Sequence, residues 1–564
     1  MNGLTASAGR ALGKGLVFFL ATCPAAFAAG LPGTVSPAER ERIAAAVPGD
    51  APVEPRRDRR LLIFDRNVGY PGHPSIRHAN LAFTLMGRKT GAYQTTVGRD
   101  PGVFRPESLR RFDAVFLNNT VGNLFGDRQL RRSLVEFIYA GGGLMGVHGT
   151  SVAFTDWPGA REDWPEFAIL LGARGANHRE SDESVFVKID DPQHPLTRVF
   201  PPSGFEYRDE FFRVHEPYSR NRLRVLLTID TEKTDLNQGP ARGKCYRADN
   251  DYALAWVRRY GRGRVFYSTI AHNPYVFWDP MMLRFYLGAV QFALGDLEAP
   301  TTPSAKLTPA VRAREHLGWR VAASSDHGPT LLDAARRAAS GGLLYLEASH
   351  GWAVGPRRPI RFDHQIDAGV REQVRLGLDA AGVRLLAYRV GEMPPDEETC
   401  RRLFQFVRTM GVEVIICAAA TGHLDLVERL AQQYEVQFAL VGPPDPAPSG
   451  RPLRAIVAAC RGRNRWVGLC ADLDVCRRAG LDPAETARTV NSRLFAVRLA
   501  LGDEAEGNSQ LAWTARFLKE LHRLEARPTV LTLDAPSRAD AVAAARAASQ
   551  ALAQLDQLCL ELAQ

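Results

Sequence analysis

The sequence predicts an α/β protein in two parts, a parallel-sheet domain followed by a (β/α)8 barrel. Three observations carry the prediction. Apolar strand-like runs alternate with amphipathic helical runs from Arg60 onward, the pattern of a parallel sheet covered by helices. After residue 313 the strand–helix alternation repeats eight times in about 250 residues, the size of a (β/α)8 barrel. Between the two regimes lies Glu298–Pro309, EAPTTPSAKLTP, whose Pro and Thr suit a linker. With 564 residues, 45% hydrophobic and 24% charged, the chain is ordinary in composition and too long for one core.

The chain opens with Arg10, Lys14 and an apolar run, Gly15–Ala28, that ends in Ala26-Phe27-Ala28. A basic start, a run too short to span a bilayer and an A-x-A-like site mark a secretory signal. Residues 1–29 are therefore expected to be removed on export to a periplasmic or extracellular space. Leu20-Ala21-Thr22-Cys23 approaches a lipoprotein acylation site, but Thr22 stands where Gly or Ala is wanted. Residues 30–58 read as a tether with one short helix, Ser36–Ala46. No later segment is long and apolar enough for a membrane helix. The net charge of +9 comes mostly from scattered arginines, without the concentrated patch that nucleic-acid binding needs. Eight cysteines without a C-x-x-C pair read as buried thiols rather than a zinc site.

Residues 59–297 form the sheet domain. Arg60–Asp65 is a buried strand running into the polar loop Asn67–His73, with His78 and Asn80 at the start of a helix. Phe112–Asn118 is the next strand and ends in Asn118-Asn119-Thr120. A helix, Gln129–Tyr139, leads to GGGLMGVHGTS, Gly141–Ser151: a glycine turn, a short strand, and a tight turn projecting His148. Small neighbours such as Gly146 and Gly149 let the backbone fold back there. His178 follows, then a strand, Ser184–Ile189, and His194, which reads as a turn cap. Phe205–Phe211 carries Tyr207, Asp209 and Glu210. A strand, Arg224–Ile229, and a hairpin, Ala253–Val257 with Arg264–Ser268, deliver His272, and a helix, Pro280–Leu294, closes the domain. In such sheets chemistry collects at the carboxyl ends of strands, so these side chains converge. Imidazole there suits general acid–base work or metal ligation rather than acyl transfer. The plainer alternative is histidines hydrogen-bonded at strand ends. Asp209 and Glu210 either orient a histidine, form an acid–base pair, or lie on a solvated loop or helix cap.

GGGLMGVHGT, the HPLT at His194, the YRDE at Tyr207–Glu210 and the YGRGRVFYSTIAH ending at His272 resemble the ThuA-like (trehalose-utilisation) family over residues 59–296. The resemblance implies a flavodoxin-like, class I glutamine amidotransferase-like fold. His148 stands where the amidotransferase cysteine would be, so glutaminase activity is not expected. It also implies a part in disaccharide or keto-sugar metabolism. Pattern and resemblance together make His148, His272, Asp209, Glu210 and His178 the catalytic candidates, and His73, His78, Asn118, Asn119 and Tyr207 the substrate-binding ones. No residue is assigned as a metal ligand and no cofactor is named. A His/His/Glu set is chemically able to hold a divalent metal, although no H-x-x-x-H spacing marks one.

Residues 313–564 supply the barrel, with strands at Trp319–Ala322, Leu343–Glu347, Val383–Ala387, Val412–Cys417, Val436–Val441, Trp466–Ala471, Leu494–Leu499 and Thr529–Asp534. CADLDVCRRAGLDPAET, Cys470–Thr486, resembles the sugar phosphate isomerase/epimerase (xylose isomerase-like) barrels. That family binds a divalent metal through carboxylates and histidines at strand ends. Asp472 and Asp534 match two of these positions, while Val475, Arg498, Ala418 and Leu440-Val441-Gly442 stand where the other ligands are wanted. The resemblance thus implies a degenerate metal site, in which Glu347, Asp472, Arg498 and Asp534 are candidates to bind a sugar. The expectation is an exported carbohydrate protein with His/carboxylate acid–base chemistry in the first domain. A non-catalytic sugar-binding or scaffold protein and a metal-dependent isomerase acting in the barrel are the alternatives. The partner expected is a sugar or modified sugar. The oligomeric state is left open.

Overall fold

In a computed structural model the described residues are 34–156, 161–236, 246–356, 358–418, 423–443, 451–500, 507–534 and 541–564. The signal expected at residues 1–29 and Cys245 lie outside them. Val35–Gln564 forms one compact unit.

Nine strands make one sheet, in the order Gln94–Gly98, Arg60–Phe64, Ala114–Asn118, Gly143–Val147, Gly263–Ser268, Ala253–Tyr260, Arg224–Ile229, Glu183–Ile189, Phe205–Asp209. Its first five strands run parallel. From Gly263–Ser268 onward every pairing is antiparallel, so the parallel sheet is extended by a meander. Both faces are covered. Along Arg60–Phe64 the side chains alternate, with Leu61 and Ile63 in one apolar cluster and Leu62 and Phe64 in the other. The edge strand Gln94–Gly98 lacks an apolar run and was not legible in the sequence.

Ser36 and Glu39 close a capping box on helix Pro37–Ala46. Ile43 and Val47 of this segment are buried in the sheet core, and Val53 exchanges backbone hydrogen bonds with the Gln291 side chain (3.1 and 2.6 Å). The stretch expected as a tether is therefore laid against the sheet. The linker is packed as well: Ser304 and Ala305 donate backbone hydrogen bonds to Leu223 and Arg220 (2.8 and 2.9 Å).

The second half is a closed eight-stranded parallel barrel of Val321–Ser324, Tyr345–Ser349, Arg384–Val390, Val414–Ala418, Gln437–Val441, Val467–Asp472, Leu494–Ala500 and Val530–Asp534. Small and branched residues such as Ala322, Ala387, Ile416, Ala439, Cys470 and Ala496 fill its interior. A larger apolar layer joins strands to helices. The cysteines among the described residues are free and buried. No described helix is long and apolar enough to cross a membrane.

Sheet and barrel meet through their amino edges. The hairpin turn at Gly261-Arg262 touches the barrel where its strands begin. Arg384 donates to the Gly261 carbonyl (2.7 Å) and Arg262 to the Glu435 carbonyl (2.9 Å). The carboxyl edges, where α/β folds place their chemistry, consequently face away from each other.

Candidate active site at the carboxyl edge of the sheet

Strand Gly143–Val147 ends at His148, whose φ of 40° lies in the left-handed region. The ring is turned inward and fully buried, and a 3-10 turn, His148–Val152, follows it. Three neighbours fix it. Its carbonyl accepts from the Tyr267 hydroxyl (2.8 Å) and the Ser151 hydroxyl (3.1 Å), and its Nδ1 donates to the Thr269 carbonyl (2.9 Å). The Nδ1 bond fixes the tautomer and leaves Nε2 as the reacting nitrogen. That nitrogen lies 3.3 Å from Glu210 Oε1 without forming a hydrogen bond.

Glu210 directly follows strand Phe205–Asp209 and is buried. The solvated-loop reading of Asp209 and Glu210 is thus corrected: both carboxylates lie at a buried strand end. Glu210 also meets His178 Nδ1 (3.2 Å) and His272 Nε2 (3.7 Å). Burial alone would raise its carboxyl; His148, then His272 and His178 beside it, outweigh burial and hold it below the ordinary value. Asp209 has a different task. It accepts from the backbone N–H of His272 (3.1 Å) and of Asn273 (3.0 Å), holding the turn that carries His272. Burial raises the Asp209 carboxyl to about 6, against the pull of His148 and these donors.

His73 completes the cluster from the loop after the first strand. Its ring centre is 4.8 Å from that of His148 and 5.5 Å from that of His272. A Cβ on Gly149 would come within 2.6 Å of His73 Cε1, so the glycine after His148 is what lets this ring approach. Burial, then the neighbouring His148 and His272, hold His73 well below the ordinary imidazole value. Burial and His148 lower His272 to about 4. One atom each from His73, His148, Glu210 and His272 lies within 4.8 Å of the others. Among the described residues this is the one group of at least three such side chains placed to hold a metal ion. His178, the most exposed member, stands at the rim.

The remaining candidates separate from this cluster. Asn119 donates to Ser75 Oγ and the Ala271 carbonyl and accepts from Gly149 N–H (3.1, 3.1 and 3.2 Å), so it clamps the loops together. Asn118 ties Ile76 and Asn80 (2.8 and 2.9 Å). His78 faces Glu39 at 3.4 Å and the Trp278 ring, and Tyr207 packs beside Phe205. His194 sits at a turn, as its sequence suggested, bonding Pro300 and Leu196. Sequence reasoning missed Phe212, whose ring lies 4.7 Å from that of His148, and Tyr70, 4.9 Å from His73. Both are ordinary aromatic residues in loops, with no spacing to mark them.

At the carboxyl mouth of the barrel, Glu347 is fully buried and accepts from Thr532 (2.7 Å). Two guanidinium groups face it, Arg389 at 3.3 Å and Arg498 at 3.9 Å. Arg498 also pairs with Asp534, and Arg389 with Asp326. Glu347, Arg498 and Asp534 thus come together as a charge-paired network. Asp472 lies beside Arg498 in the strand register and caps the next helix by accepting from Val475 N–H (3.1 Å).

Residues 60–293 match the family model described as "ThuA: Trehalose utilisation". No curated protein matches the chain. Among solved structures, a ThuA-like protein from Bacteroides uniformis is 18% identical, covering 43% of this chain and 92% of its own, with a TM-score of 0.35. A sugar phosphate isomerase/epimerase from Parabacteroides distasonis is 11% identical, covering 42% of this chain and 94% of its own, with a TM-score of 0.33. The first half is accordingly ThuA-like, and the second is a closed parallel barrel.

Proposed function

We propose that this protein acts on a disaccharide or its keto derivative by acid–base chemistry at Glu210 and the histidines around it. The observation that carries the reading is one buried carboxylate met by three imidazoles, His148, His178 and His272. Glu210, held below its ordinary value, is a carboxylate able to accept a proton. His178, exposed at the rim, is placed to exchange that proton with substrate or solvent. His148 and His272 are held from the framework side and orient the carboxylate. Asp209 is a positioning residue. The sugar class rests on the trehalose-utilisation family that residues 60–293 match.

The barrel mouth supports no second catalytic reading, because Arg389 and Arg498 neutralise the carboxylates that a metal-dependent isomerase would spend on its ion. The apolar start of the chain is proposed as an export signal. Sequencing the amino terminus of the secreted protein tests this, with a new terminus near residue 30 expected.

The test of the catalytic reading is turnover of trehalose, other disaccharides and their 3-keto forms by wild type, Glu210→Gln and His178→Ala. Loss of about 100-fold or more in Glu210→Gln, with smaller loss in His178→Ala, is expected of general acid–base groups. Sugar binding by wild type without turnover of any of these substrates would leave a binding module instead.

A further inference from the structure

We propose that His73, His148, His272 and Glu210 bind one divalent transition-metal ion of the zinc class. The proposal rests on the reading of this cluster as the reacting centre and names what holds it together. His148 spends its Nδ1 proton on the Thr269 carbonyl, so Nε2 is the ring atom turned toward Glu210 Oε1. That nitrogen is buried with no hydrogen-bond partner, and an ion between it and the carboxylate 3.3 Å away would satisfy both. His73 repeats the arrangement: the Asn119 backbone holds the ring, and its buried Nδ1 has no hydrogen-bond partner.

Size and chemistry agree. Ligands about 2.1 Å from a tetrahedral zinc lie about 3.4 Å from one another. His148 Nε2 lies 3.3 Å from Glu210 Oε1 and His272 Nε2 3.7 Å from Glu210 Oε2, near such an edge, and one atom from each of the four residues lies within 4.8 Å of the others. Imidazoles with one carboxylate favour a transition metal over calcium or magnesium. The His148 N–H to a backbone carbonyl is the outer bond that orients metal-bound histidines elsewhere. His178 instead shares its Nδ1 proton between the Arg179 carbonyl (2.9 Å) and Glu210, and so stays a proton carrier beside the ion. With all four side chains bound the tetrahedral shell is closed, so the ion would polarise a sugar oxygen or a water molecule only by taking it as a fifth ligand.

The experiment is metal analysis and Co2+ absorption of the full chain after dialysis against each ion, with His148→Gln, His272→Gln, Glu210→Gln and His178→Ala alongside. Wild type is expected to keep about one Zn2+ or Co2+ per chain and to show visible bands of four-coordinate cobalt. His148→Gln and Glu210→Gln should weaken binding at least 100-fold while His178→Ala keeps it. His272→Gln, at the least buried of the four ligands, guards against loss of fold and should also weaken binding with an unchanged circular dichroism spectrum. Less than a tenth of an equivalent in wild type, or equal metal in wild type and all three ligand variants, overturns the proposal. Sugar turnover by metal-free protein that added Zn2+ does not change would overturn the metal while leaving the acid–base reading standing. A stoichiometric ion without any sugar turnover would support the metal and remove that reading.

Discussion

His148 holds a backbone conformation that costs a non-glycine residue on the order of 1–3 kcal/mol. It persists because the Tyr267 and Ser151 hydroxyls grip its carbonyl and Thr269 grips its ring. The strain aims the imidazole at Glu210, which a relaxed strand end would not do. Two variants separate the cost from the use. His148→Ala keeps the strain and loses the ring; His148→Gly loses both. The glycine variant is expected to be the more stable of the two by about 1 kcal/mol, measured by urea denaturation. Equal stabilities, or a more stable alanine variant, would show that the turn is relaxed. Neither variant should turn over sugar at the wild-type rate.

At the scale of elements, strand ends decide what each sheet can do. In the barrel, strand Leu494–Ala500 presents Arg498 to Glu347 and Asp534, with Arg389 beside them. Burial opposes the charge of Arg498, and Glu347 and Asp534 sustain it. Arg498→Leu would leave the half-buried Asp534 without this partner and buried Glu347 facing Arg389 alone, and is expected to destabilise the protein by about 1–3 kcal/mol. Calorimetry checks this; a loss below about 1 kcal/mol would mean that solvent or Arg389 compensates. Apart from the polar edge strand Gln94–Gly98, the main strands of both halves were legible where each is an apolar run bounded by turns. Phe205–Asp209 was not, since its exposed Glu206 and Arg208 disguised an alternating edge strand whose other face is buried. His148, His178, His272 and Glu210 could be named from strand ends, but not their meeting on one carboxylate. Topology brings together residues as far apart in sequence as His73 and His272, and no local spacing records that. For the same reason the possible metal ligands were not assigned from sequence, and Arg389 went unnoticed as the partner of Glu347.

At the scale of the whole molecule, the amino edges of sheet and barrel are pressed together and the two carboxyl edges point outward. The junction is rich in arginine. Asp379 of the barrel takes Arg222 and Arg258 of the sheet half, and Glu413 takes Arg320 and Arg384. Glu413 stands just before strand Val414–Ala418 and accepts from Arg320 at 2.9 and 2.8 Å and from Arg384 at 3.2 Å. Burial would raise its carboxyl, but Arg320, Arg384, Arg262 and Arg259 together lower it from 4.5 to about 2. A carboxylate depressed in the folded state stabilises above its unfolded value, and that contribution is lost as pH falls through the folded one. The contribution of Glu413 should therefore be complete above about pH 5 and fade between about pH 4.5 and 2. At about 1.4 kcal/mol per pH unit it amounts to roughly 3 kcal/mol near neutrality. Glu413→Gln leaves four arginines around a neutral amide, so it should lower the unfolding free energy by about that amount at pH 7. The gap from wild type should narrow steadily below about pH 4.5. Denaturant titrations at several pH values check the sign. A gap that stays constant down to pH 3 would assign the loss to packing, and would leave the arginines of the junction balanced by the backbone carbonyls they also reach.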